Sequence, residues 1–142
     1  MTSENYLITE FDQYDLIISQ MDSYISNKCV IFFTGELGSG KTSFIKKFLS
    51  YKYSFRGVTS PTFGIINSYS VNGTYIYHYD LYRIKNSLEL GEIGFYNNLD
   101  INALHLIEWP EIIPRKIVKP NILINFETNI EERLMSINYR NE

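Results

Sequence analysis

Residues 35–42 read Gly35-Glu36-Leu37-Gly38-Ser39-Gly40-Lys41-Thr42, a G-x-x-x-x-G-K-T octet in which each fixed residue type suits a phosphate. The glycines let successive backbone N–H groups curl around an anion, and the N-terminus of a following helix attracts the same charge. Lys41 adds a point charge on the β- and γ-oxygens, and Thr42 a hydroxyl for Mg²⁺. Binding alone needs no more than this. Hydrolysis additionally needs carboxylates at strand ends to hold the cation and orient water. Asp80 and Glu108 fit, because each is the first charged residue after an apolar or aromatic run, Tyr75 to Tyr79 and Ala103 to Ile107. At such a position a carboxylate can face the crevice at the ends of the strands.

Other residues invite a role with a plainer alternative beside it. In Ser60-Pro61-Thr62 two hydroxyls flank a proline, as a loop sensing a γ-phosphate requires, or as a simple turn into the next strand. Arg83 lies three residues after Asp80 and can reach phosphate or pair with a local acid. Trp109 follows Glu108 and either braces that carboxylate or offers a face to a partner. His78 reads as a packed strand histidine with no evident partner, and His105 as core.

The elements that must carry these residues follow from periodicity. Tyr14, Ile17, Ile18, Met21 and Ile25 form a helical stripe that predicts a helix over about 11–26, with Thr9 and Asp12 resembling a capping box. The run at 29–34 predicts a buried strand entering the phosphate loop, and the helix after the loop extends to about Tyr51. Asn72-Gly73 between two β-rich runs predicts a hairpin, so the strand ending at Asp80 runs antiparallel to its predecessor and the sheet is mixed. One or two short helices are expected over 87–99, a short strand over 103–107, and a closing pair at 122–127 and 133–139. The whole is a single α/β domain, 1–142, with a mixed central sheet flanked by helices.

Composition narrows the class. At 142 residues, 44% of them hydrophobic, the chain can bury a core without staples. Its single cysteine, Cys29, cannot form an intrachain disulfide, which suits a reducing, cytoplasmic setting. No apolar run approaches the ~20 residues of a bilayer span, and the N-terminus lacks the pattern of a secretory signal. A net charge of −3 argues against a broad basic face for DNA or RNA, though a partner could bring the nucleic acid. The 12 tyrosines suggest a stacking surface only weakly, since A/T-biased codon usage produces the same excess.

Taken together, Gly35 to Phe44, Ser60-Pro61-Thr62-Phe63, His78-Tyr79-Asp80-Leu81-Tyr82-Arg83, Leu90-Gly91 and Ile107-Glu108-Trp109-Pro110 resemble, in order and spacing, the bacterial TsaE (YjeE) ATPases of tRNA threonylcarbamoyladenosine biosynthesis. The resemblance implies a P-loop NTPase-like fold and an Mg²⁺-dependent ATPase, slow alone, that works with the TsaB and TsaD pair. That pair modifies the adenosine beside the anticodon, so tRNA would be met through the complex. The resemblance assigns Gly38, Ser39, Gly40, Lys41, Thr42 and Ser43 to the phosphate loop, and Asp80 and Glu108 to Mg²⁺ and the attacking water. It assigns Ser60 and Thr62 to a switch-like motif, and Arg83 and Trp109 to the family's basic residue and tryptophan. More loosely, it points to Phe11 and Arg133 beside the nucleotide. Glu36, Ser39 and Ser43 replace the family's favoured Asp, Ala and Thr with similar residues. Two other classes use the same loop: a small-molecule kinase, and a nucleotide-responsive scaffold without significant hydrolysis. Five scattered arginines do not resemble a kinase lid, and a GTPase would need an N-K-x-D segment after the loop.

Overall fold

Strand β2 (Cys29–Thr34) lies in the middle of the sheet in the computed structural model of the chain, which describes residues 2–59, 65–129 and 132–140. Around it run β1 (Thr2–Ile8), β3 (Ile66–Val71), β4 (Thr74–Asp80), β5 (Leu104–Glu108), β6 (Ile122–Thr128) and β7 (Arg133–Tyr139), in the order β1-β7-β6-β2-β5-β4-β3. The inner strands β6, β2, β5 and β4 are parallel, and β7, β1 and β3 add antiparallel pairs at the two sides. The sheet is therefore mixed, as the Asn72-Gly73 hairpin requires.

Alternation along β2 splits the core into two layers. Ile31 and Phe33 belong to the cluster under α1 (Gln13–Met21) and α2 (Lys41–Tyr53), whereas Phe32 belongs to the cluster under α3 (Ser87–Glu92) and α4 (Phe95–Leu99). Phe44 anchors the first layer, with ring centroids 5.0 Å from Tyr14 and 5.9 Å from Phe126. Its burial fixes α2 directly after the phosphate loop, so packing energy holds the loop's exit in place.

Two local expectations are corrected, and one element is added. The first helix is shorter than 11–26: α1 stops at Met21, a 3₁₀ turn covers Asp22–Tyr24, and Ile25 is extended. The Thr9/Asp12 capping box does not form. Instead the Gln13 side-chain oxygen accepts from the backbone N–H groups of Thr9 and Glu10 at 2.7 and 2.8 Å. Strand β1 has no counterpart among the expected elements, because an edge strand with Ile8 as its one buried residue carries little apolar alternation. Its partner β7 positions it instead, with Tyr6 opposite Met135 and Leu7 opposite Leu134.

Candidate functional site

The loop's backbone demands glycine where the octet places it. Gly40 caps α2 at φ +110°, and Gly35 adopts φ +141°. A Cβ at Gly35 would stand 2.7 Å from the carbonyl oxygen of Phe126, a contact no rotamer change relieves. The loop is thus braced against β6. Inside it, the Lys41 ammonium donates to the carbonyls of Gly35 and Glu36, the latter at 2.9 Å, and approaches Ser39 Oγ at 3.4 Å. It also stands 4.2 Å from the centroid of the Trp109 ring. Burial pushes the Lys41 pKa below its ordinary value, countered by Glu108, Glu111 and Asp80. An ammonium held by its own loop is stored where an anion can claim it.

Strand geometry delivers the carboxylates. Asp80 and Glu108 are the last residues of β4 and β5 and lie opposite each other in the parallel register. Glu108 is 2% exposed, and its Oε1 accepts the Thr42 hydroxyl proton at 2.9 Å while its Oε2 is 2.6 Å from His78 Nε2. Asp80 is half-buried and accepts the backbone N–H of Tyr82 at 3.1 Å. Burial raises its pKa; the Tyr82 N–H lowers it and the Glu108 charge raises it again.

A cavity of about 320 Å³ gathers Gly38, Ser39, Gly40, Lys41, Thr42, Ser43, Asp80, Glu108, Trp109 and Arg133. A second, of about 490 Å³, shares Gly38 and Arg133 with it and is walled by Phe11, Tyr14, the Thr9-Glu10 turn, and Thr128, Asn129 and Glu132 beside the ends of β6 and β7. The Arg133 guanidinium closes over the loop, its Nη1 lying 2.9 Å from where a Cβ on Gly40 would be. Phe11 stands 49% exposed at the second cavity, edge-on to Tyr14 at 5.4 Å. Arg83 is exposed in the turn after β4 and does not line the phosphate cavity. Ser60 and Thr62 lie outside the described residues.

The donor set fits Mg²⁺. Thr42, Asp80 and Glu108 offer only oxygen, and among the described residues no cluster of three or more His, Cys, Asp or Glu could hold a metal by itself. Mg²⁺ characteristically binds through one or two such groups together with phosphate oxygens and water.

His78 is the residue whose partner sequence reasoning missed. It is fully buried and bonded to Glu108, not merely packed. The available signal is the His78-Tyr79-Asp80 spacing, since residues i and i+2 of a strand share a face and Asp80 already places chemistry on that face. His105 is core as expected, bonded to the Tyr79 hydroxyl and the Ile101 carbonyl at 2.8 and 3.0 Å. Trp109, with φ +60°, lays its ring against the Lys41 ammonium and against Tyr82, 4.8 Å between centroids, a contact with the loop lysine that differs from the expected brace on Glu108.

Comparison with known proteins points to one family. The family model described as "Threonylcarbamoyl adenosine biosynthesis protein TsaE" matches residues 8–135. The chain is 40% identical over 113 residues to the tRNA threonylcarbamoyladenosine biosynthesis protein TsaE of Rickettsia conorii, covering 76% of this chain and 62% of that protein. Against the protein of the same name from Rickettsia typhi it is 38% identical over 117 residues, covering 79% and 78%. The chain thus spans less than two thirds of the length of the Rickettsia conorii relative and of the Rickettsia felis one, at 62% and 64%. The crystal structure of YdiB from Bacillus subtilis superposes with a TM-score of 0.70 at 22% identity, covering 97% of this chain and 86% of that one, a likeness of fold.

Proposed function

Because the chain belongs to the TsaE family of threonylcarbamoyl adenosine biosynthesis proteins, we propose that it is the Mg²⁺-dependent ATPase component of tRNA threonylcarbamoyladenosine modification, acting with TsaB and TsaD homologues. The observation that carries the hydrolytic part is the Thr42 Oγ1 to Glu108 Oε1 hydrogen bond of 2.9 Å, with Asp80 opposite in register. It joins the phosphate loop to the strand-end carboxylates in one cavity.

The roles follow from the atoms. Lys41 exchanges its loop carbonyls for phosphate oxygens, a better partner for an ammonium. The Thr42 hydroxyl offers oxygen lone pairs to Mg²⁺ while its proton points to Glu108. Mg²⁺, held there, would supply positive charge against that developing on the phosphate oxygens. Glu108 keeps further lone pairs with which to orient water, and Asp80 supplies the second carboxylate. Arg133 closes over the phosphates, and Phe11 with the second cavity gives the base a wall to lie on. Among the described residues only Arg133 of the arginines lines the phosphate cavity, which disfavours a kinase lid.

The test is reconstitution of tRNA modification from purified TsaB and TsaD homologues, tRNA, threonine, bicarbonate and ATP, with and without this chain. Multi-turnover modification is expected only with the chain present. Lys41→Ala abolishes nucleotide binding, whereas Glu108→Ala keeps much of it and loses hydrolysis. An unchanged multi-turnover yield without the chain rejects the proposal.

A further inference from the structure

Two buried histidines in this fold are built differently. His105 satisfies both ring nitrogens with neutral partners, the Tyr79 hydroxyl and the Ile101 carbonyl, as a histidine recruited for packing should. His78 is equally buried, yet its one hydrogen bond goes to a carboxylate, and among the described residues its Nδ1 has no partner. A core position filled for stability alone would not strand a ring nitrogen to reach an acid. The Nε2–H tautomer explains the choice: it donates to Glu108 Oε2 and leaves a bare nitrogen at Nδ1, which is less costly to bury than an unpaired N–H.

The consequence lies on Glu108. A glutamate at a strand end has three side-chain torsions, and a single bond from Thr42 would leave its carboxylate free to swing. With Thr42 on Oε1 and His78 on Oε2, both oxygens are tied and the carboxylate plane is set. The imidazole is itself held by packing in β4, two residues before Asp80 on the same face.

We propose that His78 is a positioning residue for hydrolysis: its Nε2–H clamps Glu108 Oε2 so that Oε1 stays on Thr42 and the remaining lone pairs face the phosphate cavity. This rests on the hydrolytic reading of the site. His78 is fully buried and does not line the phosphate cavity, so it acts through Glu108. Groups that hold such carboxylates typically change activity or metal affinity by 10–100-fold when removed.

Two measurements decide it, the first without nucleotide or metal. Thr42→Val is introduced into the wild-type chain and into His78→Leu, and thermal midpoints are compared. If His78 aims Glu108 at Thr42, the loss caused by Thr42→Val shrinks to less than half in the His78→Leu background; an equal loss in both backgrounds overturns the proposal. The second measurement is phosphate release from Mg·ATP, with nucleotide affinity measured in chelator. His78→Leu is expected to lower kcat roughly 10–100-fold while nucleotide affinity in chelator stays within about twofold. His78→Gln, whose amide can reach the Nε2 position, restores most of kcat, and the shorter His78→Asn does not. Equal kcat for Gln and Asn overturns the proposal, as does parallel loss of kcat and chelator affinity in His78→Leu. Should His78→Leu fail to fold, the Gln/Asn pair decides alone. Absence of phosphate release by the wild-type chain and its partners would sink the hydrolytic reading, and the thermal comparison would then decide whether His78 positions Glu108.

Discussion

Thr42→Val isolates one hydrogen bond with little else disturbed. Valine has the same shape, is also β-branched and ranks close to threonine in helix propensity, so the first turn of α2 keeps its geometry and no cavity opens. What is lost is the proton that Thr42 gives to Glu108 Oε1 at 2.9 Å. A hydrogen bond to a charged group is worth about 1.5–3 kcal/mol. Glu108 is 2% exposed, which argues for the upper end, whereas Thr42 is only half-buried and water can enter on its side, which argues for the lower. The expected cost is therefore about 1.5–2 kcal/mol, equivalent to about 5–8 °C in Tm for a domain of this size. Thermal unfolding of the nucleotide-free protein, followed by circular dichroism, reads it directly. The control is Glu108→Gln, in which the charge-assisted part of the bond is already gone and the same substitution should cost less than about 1 kcal/mol. A Thr42→Val midpoint within about 1 °C of wild type would refute the account. The loop and the carboxylate would then be energetically separate, and the 2.9 Å contact incidental.

Asp80→Asn keeps the acceptor for the Tyr82 N–H but removes a carboxylate whose pKa burial raises. A raised folded-state pKa means that the ionised form is disfavoured by folding. The wild-type penalty is absent below the free carboxylate value of about 4, grows as pH rises towards the folded value, and is full above it. The Asp80→Asn variant should therefore melt higher than wild type at pH 8 and equally near pH 3, and an unchanged difference across that range would contradict the burial argument. Among the loop glycines, Gly35→Ala should destabilise by roughly 3 kcal/mol or more and Gly38→Ala by only about 1, because both adopt positive φ but only the former meets the Phe126 carbonyl. Urea midpoints in the reverse order would show that the brace on β6 is misassigned. Phe11→Ala should weaken ATP binding while leaving binding of inorganic triphosphate unaltered, since the ring lines the second cavity and not the one around Lys41 and Thr42; equal weakening of both would refute a base contact at Phe11.

How much of the molecule is legible in its sequence depends on how local the determining forces are. The octet, the Asn72-Gly73 hairpin and the strand at 29–34 are set by backbone conformation and short-range alternation, and each forms where it is expected. Asp80 and Glu108 are found because strand ends in a parallel sheet open onto one crevice. Strand β1 escapes because its stability comes from β7, far away in the chain, and its own pattern is polar. The capping box fails because a competing acceptor, Gln13, takes the N–H groups of Thr9 and Glu10. His78 is legible as a strand residue but not as a partner, since its meaning depends on β5 arriving alongside β4 with Glu108 within reach.

The pairing of β1 with β7 also sets a schedule for the molecule's birth. On a ribosome β1 emerges before every other strand of the sheet and β7 after them, so residues 2–8 wait unpaired until residues 133–139 have followed. The cavity beside Phe11 has one wall on the turn after β1 and the other beside the ends of β6 and β7, so it cannot exist on a nascent chain that stops short of them. The phosphate loop itself rests on β2 and α2, with β6 as a brace. Both cavities still wait for the last strand, because a product truncated before β7 would lack Arg133, which lines each of them, together with Met135, Ile137 and Tyr139 of the core under α2.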